Sequence, residues 1–136
     1  VQRIKRTKVQ RRKRKKTHDR EIGSRRERFS EINRLAEGAS VVKLMYAATE
    51  HFPKSETYGL TSQIRRACVS VPANIAEGYS YGSDGQVSRF LDIARGSLAE
   101  VEYYLILAQD LKYISEEQYE ESETLRAEVG FLLYRL

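Results

Sequence analysis

The stretch Phe52–Gly78, FPKSETYGLTSQIRRACVSVPANIAEG, constrains the fold more than any other part of this chain. At the helical step of about 100° per residue, Leu60, Ile64, Ala67, Cys68, Val71 and Ile75 fall on one apolar stripe. Gln63, Arg66, Ser70, Asn74 and Glu77 form a polar ladder beside it, and Val69, Ala73 and Ala76 form a third, small and apolar face. A helix with apolar groups on two sides leaves little surface for water. The pattern therefore predicts an interior helix with neighbours on more than one side.

The rest of the chain supplies those neighbours. Ser24 with Glu27 has the form of a capping box, and Ser30 offers a second cap. Ile32, Leu35, Ala39, Val42, Tyr46 and Thr49 then keep helical spacing, which predicts a first helix from Arg25 or Glu31 to His51, ahead of Pro53. The second helix begins between Ser55 and Leu60, is kinked at Pro72, and is expected to end at Gly78 as a glycine cap. Ser83 with Gln86 opens a third helix, Asp84 to Leu111. Its core stripe is Val87, Leu91, Ala94, Leu98, Val101 and Leu105, and its flanking stripe is Ile93, Ser97, Glu100, Tyr104 and Leu111. Ser115 caps a fourth helix, where Glu116, Glu117 and Glu120 suit the positive end of the dipole and Leu125, Val129, Leu132, Leu133 and Leu136 face inward. Four helices, short connections and no strand pattern predict an all-α fold, an antiparallel up-down four-helix bundle over residues 29–136. In that arrangement Arg66 comes near Glu100 and Ser70 near Ser97. Gln63, Arg66, Ser70, Asn74, Glu77, Ser97 and Glu100 are then expected to form an internal network that fixes helix register.

Charge divides the chain at the same boundary. The formal net charge is +5, yet residues 1–28 carry 14 Lys or Arg against three acids, and residues 29–136 carry 10 against 16. Arg11, Arg12, Lys13, Arg14, Lys15 and Lys16 are six consecutive cations whose mutual repulsion opposes an isolated helix. Residues 1–28 are expected to be a basic, disordered tail in the free protein, and equally an arm for a polyanion such as RNA or DNA. Within the acidic body, Arg65, Arg89 and Arg95 are the candidate nucleic-acid contacts, the alternative being that they pair with Glu102, Asp92 and other surface neighbours.

Enzyme chemistry finds little support. His18 and His51 lie far apart, and there is no cysteine cluster, no HExxH and no Glu-x-x-His pair. Gly78, Gly82 and Gly85 lack the Gly-Lys-Ser/Thr ending of a phosphate loop. No catalytic residue, metal or cofactor is expected. The single cysteine, Cys68, sits on the apolar stripe as a core residue. Without an apolar run of about 18 residues no membrane span is expected, and without an N-terminal secretory pattern a cytoplasmic home is the expectation. The chain starts at Val1 and not at methionine, as a fragment or processed product would.

A resemblance adds to this reading. Phe52-Pro53, Glu56, Gly59-Leu60, Gln63, Arg65-Arg66-Ala67, Ser70 and Asn74-Ile75-Ala76-Glu77-Gly78 carry it, followed by Phe90-Leu91, Ile93-Ala94-Arg95-Gly96-Ser97 and Glu100. In these residues the chain resembles the four-helix-bundle proteins encoded in intervening sequences of bacterial 23S ribosomal RNA genes, the ribosomal-protein-S23-like family. The match runs from about Leu35 to Leu133, so residues 1–28 lie outside it. That family is similar to the accessory protein of diversity-generating retroelements, a homopentameric barrel that binds nucleic acid and partners a reverse transcriptase. The resemblance implies a four-helix bundle and a homopentamer, with RNA or DNA and a protein as partners. The functional expectation is a non-enzymatic, oligomeric, nucleic-acid-binding accessory protein associated with rRNA intervening sequences. A ligand-free scaffold or protein–protein interaction module is the alternative.

Overall fold

The structure is a computed structural model that describes the backbone of residues 2–38 and 41–135, and their side chains outside 2–6, 28–29 and 31–38. Among the described residues five α-helices follow one another: α1 (Gln2–Gly38), α2 (Val41–Thr49), α3 (Leu60–Ser80), α4 (Asp84–Asp110) and α5 (Glu116–Arg135). A 3-10 turn, Lys54–Glu56, precedes α3, and there is no strand among the described residues. The fold is all-α, as the apolar periodicity requires. The expected stripe residues Ile32, Leu35, Ala39 and Leu136 lie outside the described residues.

The N-terminal segment departs from expectation, because residues 2–28, expected as a disordered tail, belong to a helix that continues to Gly38. Lys, Arg and Gln are straight-chain residues that lose little rotamer freedom in a helix, and no proline precedes Pro53. The cations at 11–16 are all exposed, so water screens the repulsion that the sequence pattern suggests. α1 is described as far as Gly38 and α2 spans Val41–Thr49, two residues short of the expected end at His51; residues 39 and 40 lie outside the described residues. The buried phase of α2 is Val41, Met45, Ala48 and Thr49, where Val42, Tyr46 and Thr49 are the residues the spacing predicts.

α3 begins where the Glu56 carboxylate accepts from the Leu60 backbone N–H at 2.8 Å. The helix passes through Pro72 to Ser80. Past the proline, the Asn74 side-chain amide donates to the Ser70 carbonyl (2.7 Å) and to its hydroxyl oxygen (2.9 Å), bracing the turn. Gly78 does not cap the helix. It is buried two residues before the last turn ends, and a Cβ placed on it would lie 2.8 Å from the Cβ of Phe90. Its hydrogen is what lets α4 approach α3. Sequence cannot separate a glycine used for closeness from one used for a cap.

α4 starts on Ser83, whose hydroxyl accepts from the Gln86 N–H at 3.3 Å. It ends in a Schellman turn, with Tyr113 N–H donating to the Ala108 carbonyl and Lys112 N–H to that of Gln109, both at 2.9 Å. Lys112 takes the left-handed position with φ 60° that glycine usually fills. α5 opens on a reciprocal capping box. Gln118 N–H donates to the Ser115 hydroxyl (3.1 Å), and Ser115 N–H donates to the Gln118 side-chain oxygen (2.9 Å).

Contacts show the helix directions. Between α3 and α4, Ser70 meets Ser97 while Gly78 meets Phe90, so advance along one is retreat along the other. Between α4 and α5, Arg95 meets Leu133 and Glu102 meets Arg126 in the same antiparallel sense. α3 and α4 pack most extensively, α2 and α5 close over them, and α1 leans on α3 and α5. Every predicted core residue of α3, from Leu60 to Ile75, is buried, as are Leu91, Ala94, Leu98, Val101 and Leu105 of α4. The larger core cluster surrounds Met45, Ile64, Cys68 and Leu105, and the smaller one surrounds Ile75, Leu91, Leu98 and Leu133. The second face of α3 and α4, expected to be covered, is partly open in the single chain: Val69 is 42% exposed and Ile93 41%, whereas Ser97 is buried and Tyr104 half-buried. Tyr103, beside that stripe, is 59% exposed.

Candidate nucleic-acid interface

Along α1, Arg11, Arg12, Lys13, Arg14, Lys15 and Lys16 are exposed. Six successive residues turn through more than one full circuit of a helix, so their charges point around the rod and not along one face. Such a rod attracts a phosphate backbone from any side and reads no sequence. The Thr17 hydroxyl donates to the Lys13 carbonyl at 2.7 Å. Further along, Arg25 forms an ion pair with Asp84 at the start of α4, which fastens the arm to the body.

The three arginines expected to extend this surface have different fates. Arg65 is held against α2: its Nε–H donates to the Thr49 hydroxyl at 2.8 Å, and its guanidinium lies 4.5 Å from the Tyr46 ring centroid. Arg95 bonds Asp92 at 2.7 Å and caps the end of α5 through the Leu133 carbonyl at 2.7 Å. Both spend their donors on helix packing. Arg89 is exposed, with its guanidinium 5.8 Å from the Phe90 ring centroid, and remains open to a ligand. The Arg95–Asp92 pair follows from sequence neighbours, but the Thr49 hydroxyl and the Leu133 carbonyl are partners that leave no pattern in the sequence.

The polar ladder is only partly assembled. The Ser70 and Ser97 hydroxyls meet at 2.7 Å and Asn74 joins them, forming a small knot between α3 and α4. Gln63, Arg66, Glu77 and Glu100 instead lie exposed on the outer face, and no ion pair joins Arg66 to Glu100 among the described residues. The physical reason is rotational. At 100° per residue Arg66 and Glu77 turn further from the α3 core stripe than Ser70 and Asn74 do, while Gln63 shares the phase of those two and lies exposed near the start of the helix. In α5, Arg126 takes the ionic role instead, hydrogen-bonded to Glu123 (Nε to Oε2, 2.7 Å) and 3.6 Å from Glu102. The hydrogen bond to Glu123 and the charges of Glu123 and Glu102 raise its pKa further, against the opposing effect of burial.

One concavity was not foreseen. A cleft of about 470 Å³ separates α1 from the α3–α4 turn, bounded by His18, Ile22, Arg25 and Arg26 on one side and by Tyr79 and Tyr81 on the other. His18, Ile22 and Arg25 recur at helical spacing, a signal in the sequence that loses its meaning if the segment is taken as disordered. Tyr81 stacks on Phe90 with centroids 5.5 Å apart and rings inclined by 16°. Elsewhere chemistry is sparse. Cys68 is buried, and burial pushes its thiol up to about 12. No group of three or more His, Cys, Asp or Glu side chains that could hold a metal exists among the described residues. Among the described residues no helix is long and apolar enough to cross a membrane.

Comparison with known proteins completes the description. Residues 30–135 match the family described as 23S rRNA-intervening sequence protein. The chain is similar to the crystal structure of a protein of unknown function from the S23 ribosomal protein family of Bacteroides thetaiotaomicron. That likeness has a TM-score of 0.65 at 28% identity and covers 76% of this chain and 94% of the other. No curated protein matches.

Proposed function

We propose that this chain, which belongs to the 23S rRNA-intervening sequence protein family, is a non-enzymatic accessory protein that binds nucleic acid through its basic arm. One observation carries the reading. Six consecutive cations sit exposed on α1, which is fastened at Arg25 to a body of opposite net charge. An acidic body repels phosphate, so the polyanion is held along the arm and at the arm's root. Arg89 is the remaining contact of the folded part, since Arg65 and Arg95 serve packing. The protein works in the cytoplasm in this reading, without metal or cofactor.

Substitution of Arg11, Arg12, Lys13, Arg14, Lys15 and Lys16 by glutamine tests it. With labelled RNA and DNA, the unaltered chain should show a slope of log affinity against log salt of about −4 to −5, as about six phosphate contacts predict. The substituted chain should lose most of that slope. Equal affinity of the two chains at low salt would sink the proposal.

A second reading, a homo-oligomeric scaffold, is favoured by the open face of α3 and α4. Val69, Ile93, Ile106 and Tyr103 are exposed there, with Ala73 and Gly96 small enough for close approach. A ring repeats one heterologous contact, so a single pair of such faces suffices, and five subunits is the number the resemblance implies. Ring formation is compatible with the arm's role. Light scattering after size exclusion decides it: a monomer mass at micromolar concentration removes the oligomer.

A further inference from the structure

We propose that the cleft between α1 and the α3–α4 turn holds one unpaired nucleotide of a single strand, its phosphate on Arg25 and Arg26 and its base on Tyr81. The inference rests on the arm's binding of nucleic acid and adds a second specificity to it. The cleft, about 470 Å³, falls within the range of small-molecule sites. Its two walls differ in chemistry. The α1 wall brings His18, Arg25 and Arg26, of which Arg25 is engaged by Asp84. Arg26 is exposed and has no ion-pair partner among the described residues, so its guanidinium is available for a phosphate. The opposite wall is aromatic and apolar, with Tyr81 held flat by its stack on Phe90 and Val87 beneath the turn. A ring already fixed by a neighbour loses little freedom when a base stacks on its edge of the cleft.

The route to the cleft is built into α1. Arg11, Arg14, His18, Ile22 and Arg25 recur three or four residues apart, so one side of the helix runs from the cation cluster to the cleft mouth, with arginines at its two ends. A strand tracking that side would present its bases to the body where α1 meets the turn. Paired bases cannot enter, because their faces are covered by stacking and their edges by the partner strand. The arm alone is indifferent to pairing. The cleft makes the whole protein prefer single strands.

The test uses the full chain, with one oligonucleotide sequence as single strand and as duplex, in RNA and in DNA, each carrying a 2-aminopurine. Tyr81→Ala should weaken single-strand binding by about tenfold, as loss of one base–aromatic stack predicts, and leave duplex binding as it was. It should also abolish the quenching of 2-aminopurine on binding. Tyr81→Phe, which keeps the ring, should restore both, separating stacking from any loosening of the turn. Arg26→Gln should lower the single-strand salt slope by about 0.7, one phosphate contact. If Tyr81→Ala binds single strand as the parent does, or weakens single strand and duplex alike, the cleft is no nucleotide site and the arm's role stands unharmed. If the parent binds no strand at low salt, the arm reading falls and the cleft proposal with it. Quenching by RNA only, or by DNA only, assigns the sugar and upholds the site.

Discussion

Replacing Gly78 by alanine tests the closeness of α3 and α4. In an ordinary helix this change is favourable by up to about 1 kcal/mol, because alanine restricts the unfolded chain and the helix backbone accepts it. Here the new methyl would sit 2.8 Å from the Phe90 Cβ and 3.5 Å from the Val87 carbonyl oxygen. The first of these is about 1 Å inside normal carbon contact, and the obstacle is a Cβ fixed to the α4 backbone, not the tip of a flexible chain. Relief requires the two helices to separate where they pack most extensively. Overpacking of this kind costs about 1–3 kcal/mol, so from the middle of that range the net loss after a propensity gain of up to about 1 kcal/mol is about 1 kcal/mol. A loss of that size lowers the melting temperature by several degrees, on the order of 3–8 °C. Gly96→Ala is the matched control. It lies inside α4 with no atom within 4 Å of its Cβ position, and should gain up to about 1 kcal/mol in the monomer. Circular dichroism during thermal and urea unfolding reads both, under conditions where the chain is monomeric. Gly78→Ala matching Gly96→Ala in stability would show that the helices do not meet at Gly78, and the reasoning would fail.

Three further outcomes are expected. Lys112→Gly should stabilise the fold by about 1 kcal/mol by relieving a left-handed residue at the end of α4, as urea midpoints would show; destabilisation would mean that Lys112 makes a contact worth more than its strain. Cys68, raised from 9.0 to about 12 by burial, stays protonated in the folded chain while the unfolded chain ionises. Its contribution is complete below about pH 9 and declines towards pH 12 at up to about 1.4 kcal/mol per pH unit, so the parent should lose stability faster than Cys68→Ala between pH 9 and 11 in paired urea titrations. Arg65→Gln should cost about 1 kcal/mol of stability with nucleic-acid affinity unchanged, while Arg89→Gln should leave stability unchanged and weaken binding modestly; a reversal in melting and anisotropy measurements would exchange their roles.

The core was legible in the sequence because α3 and α4 keep one apolar phase for several turns. Leu60 through Ile75 and Leu91 through Leu105 could be read off by spacing alone. The caps at Ser83 and Ser115 were equally legible, since a hydroxyl three residues before Gln is a local rule. Lys112 escaped because its left-handed turn is stabilised by the Tyr113-to-Ala108 bond and not announced by glycine. α1 escaped because local charge repulsion argued for disorder while side-chain propensity argued for helix, and no stripe arbitrated between them. The cleft followed it into obscurity, as it needs α1 for one wall. Arg65 and Arg95 were legible as arginines but not as braces, because Thr49 and the Leu133 carbonyl are distant in sequence.

Only residues 81–83 connect α3 to α4, so the most extensive helix contact is also among the most local in the chain. Closing so short a loop costs little entropy, and the hairpin can form before α2 and α5 have met across the length of the bundle. In that order the pair would close first beside the turn, where Gly78 meets Phe90, with α5 and α2 docking afterwards. Opening runs in reverse. Amide protons at the centres of α3 and α4 should exchange with solvent only when the whole domain opens, and those of the exposed part of α1 far sooner. The arm can therefore coil and uncoil around a polyanion many times during one lifetime of the folded core.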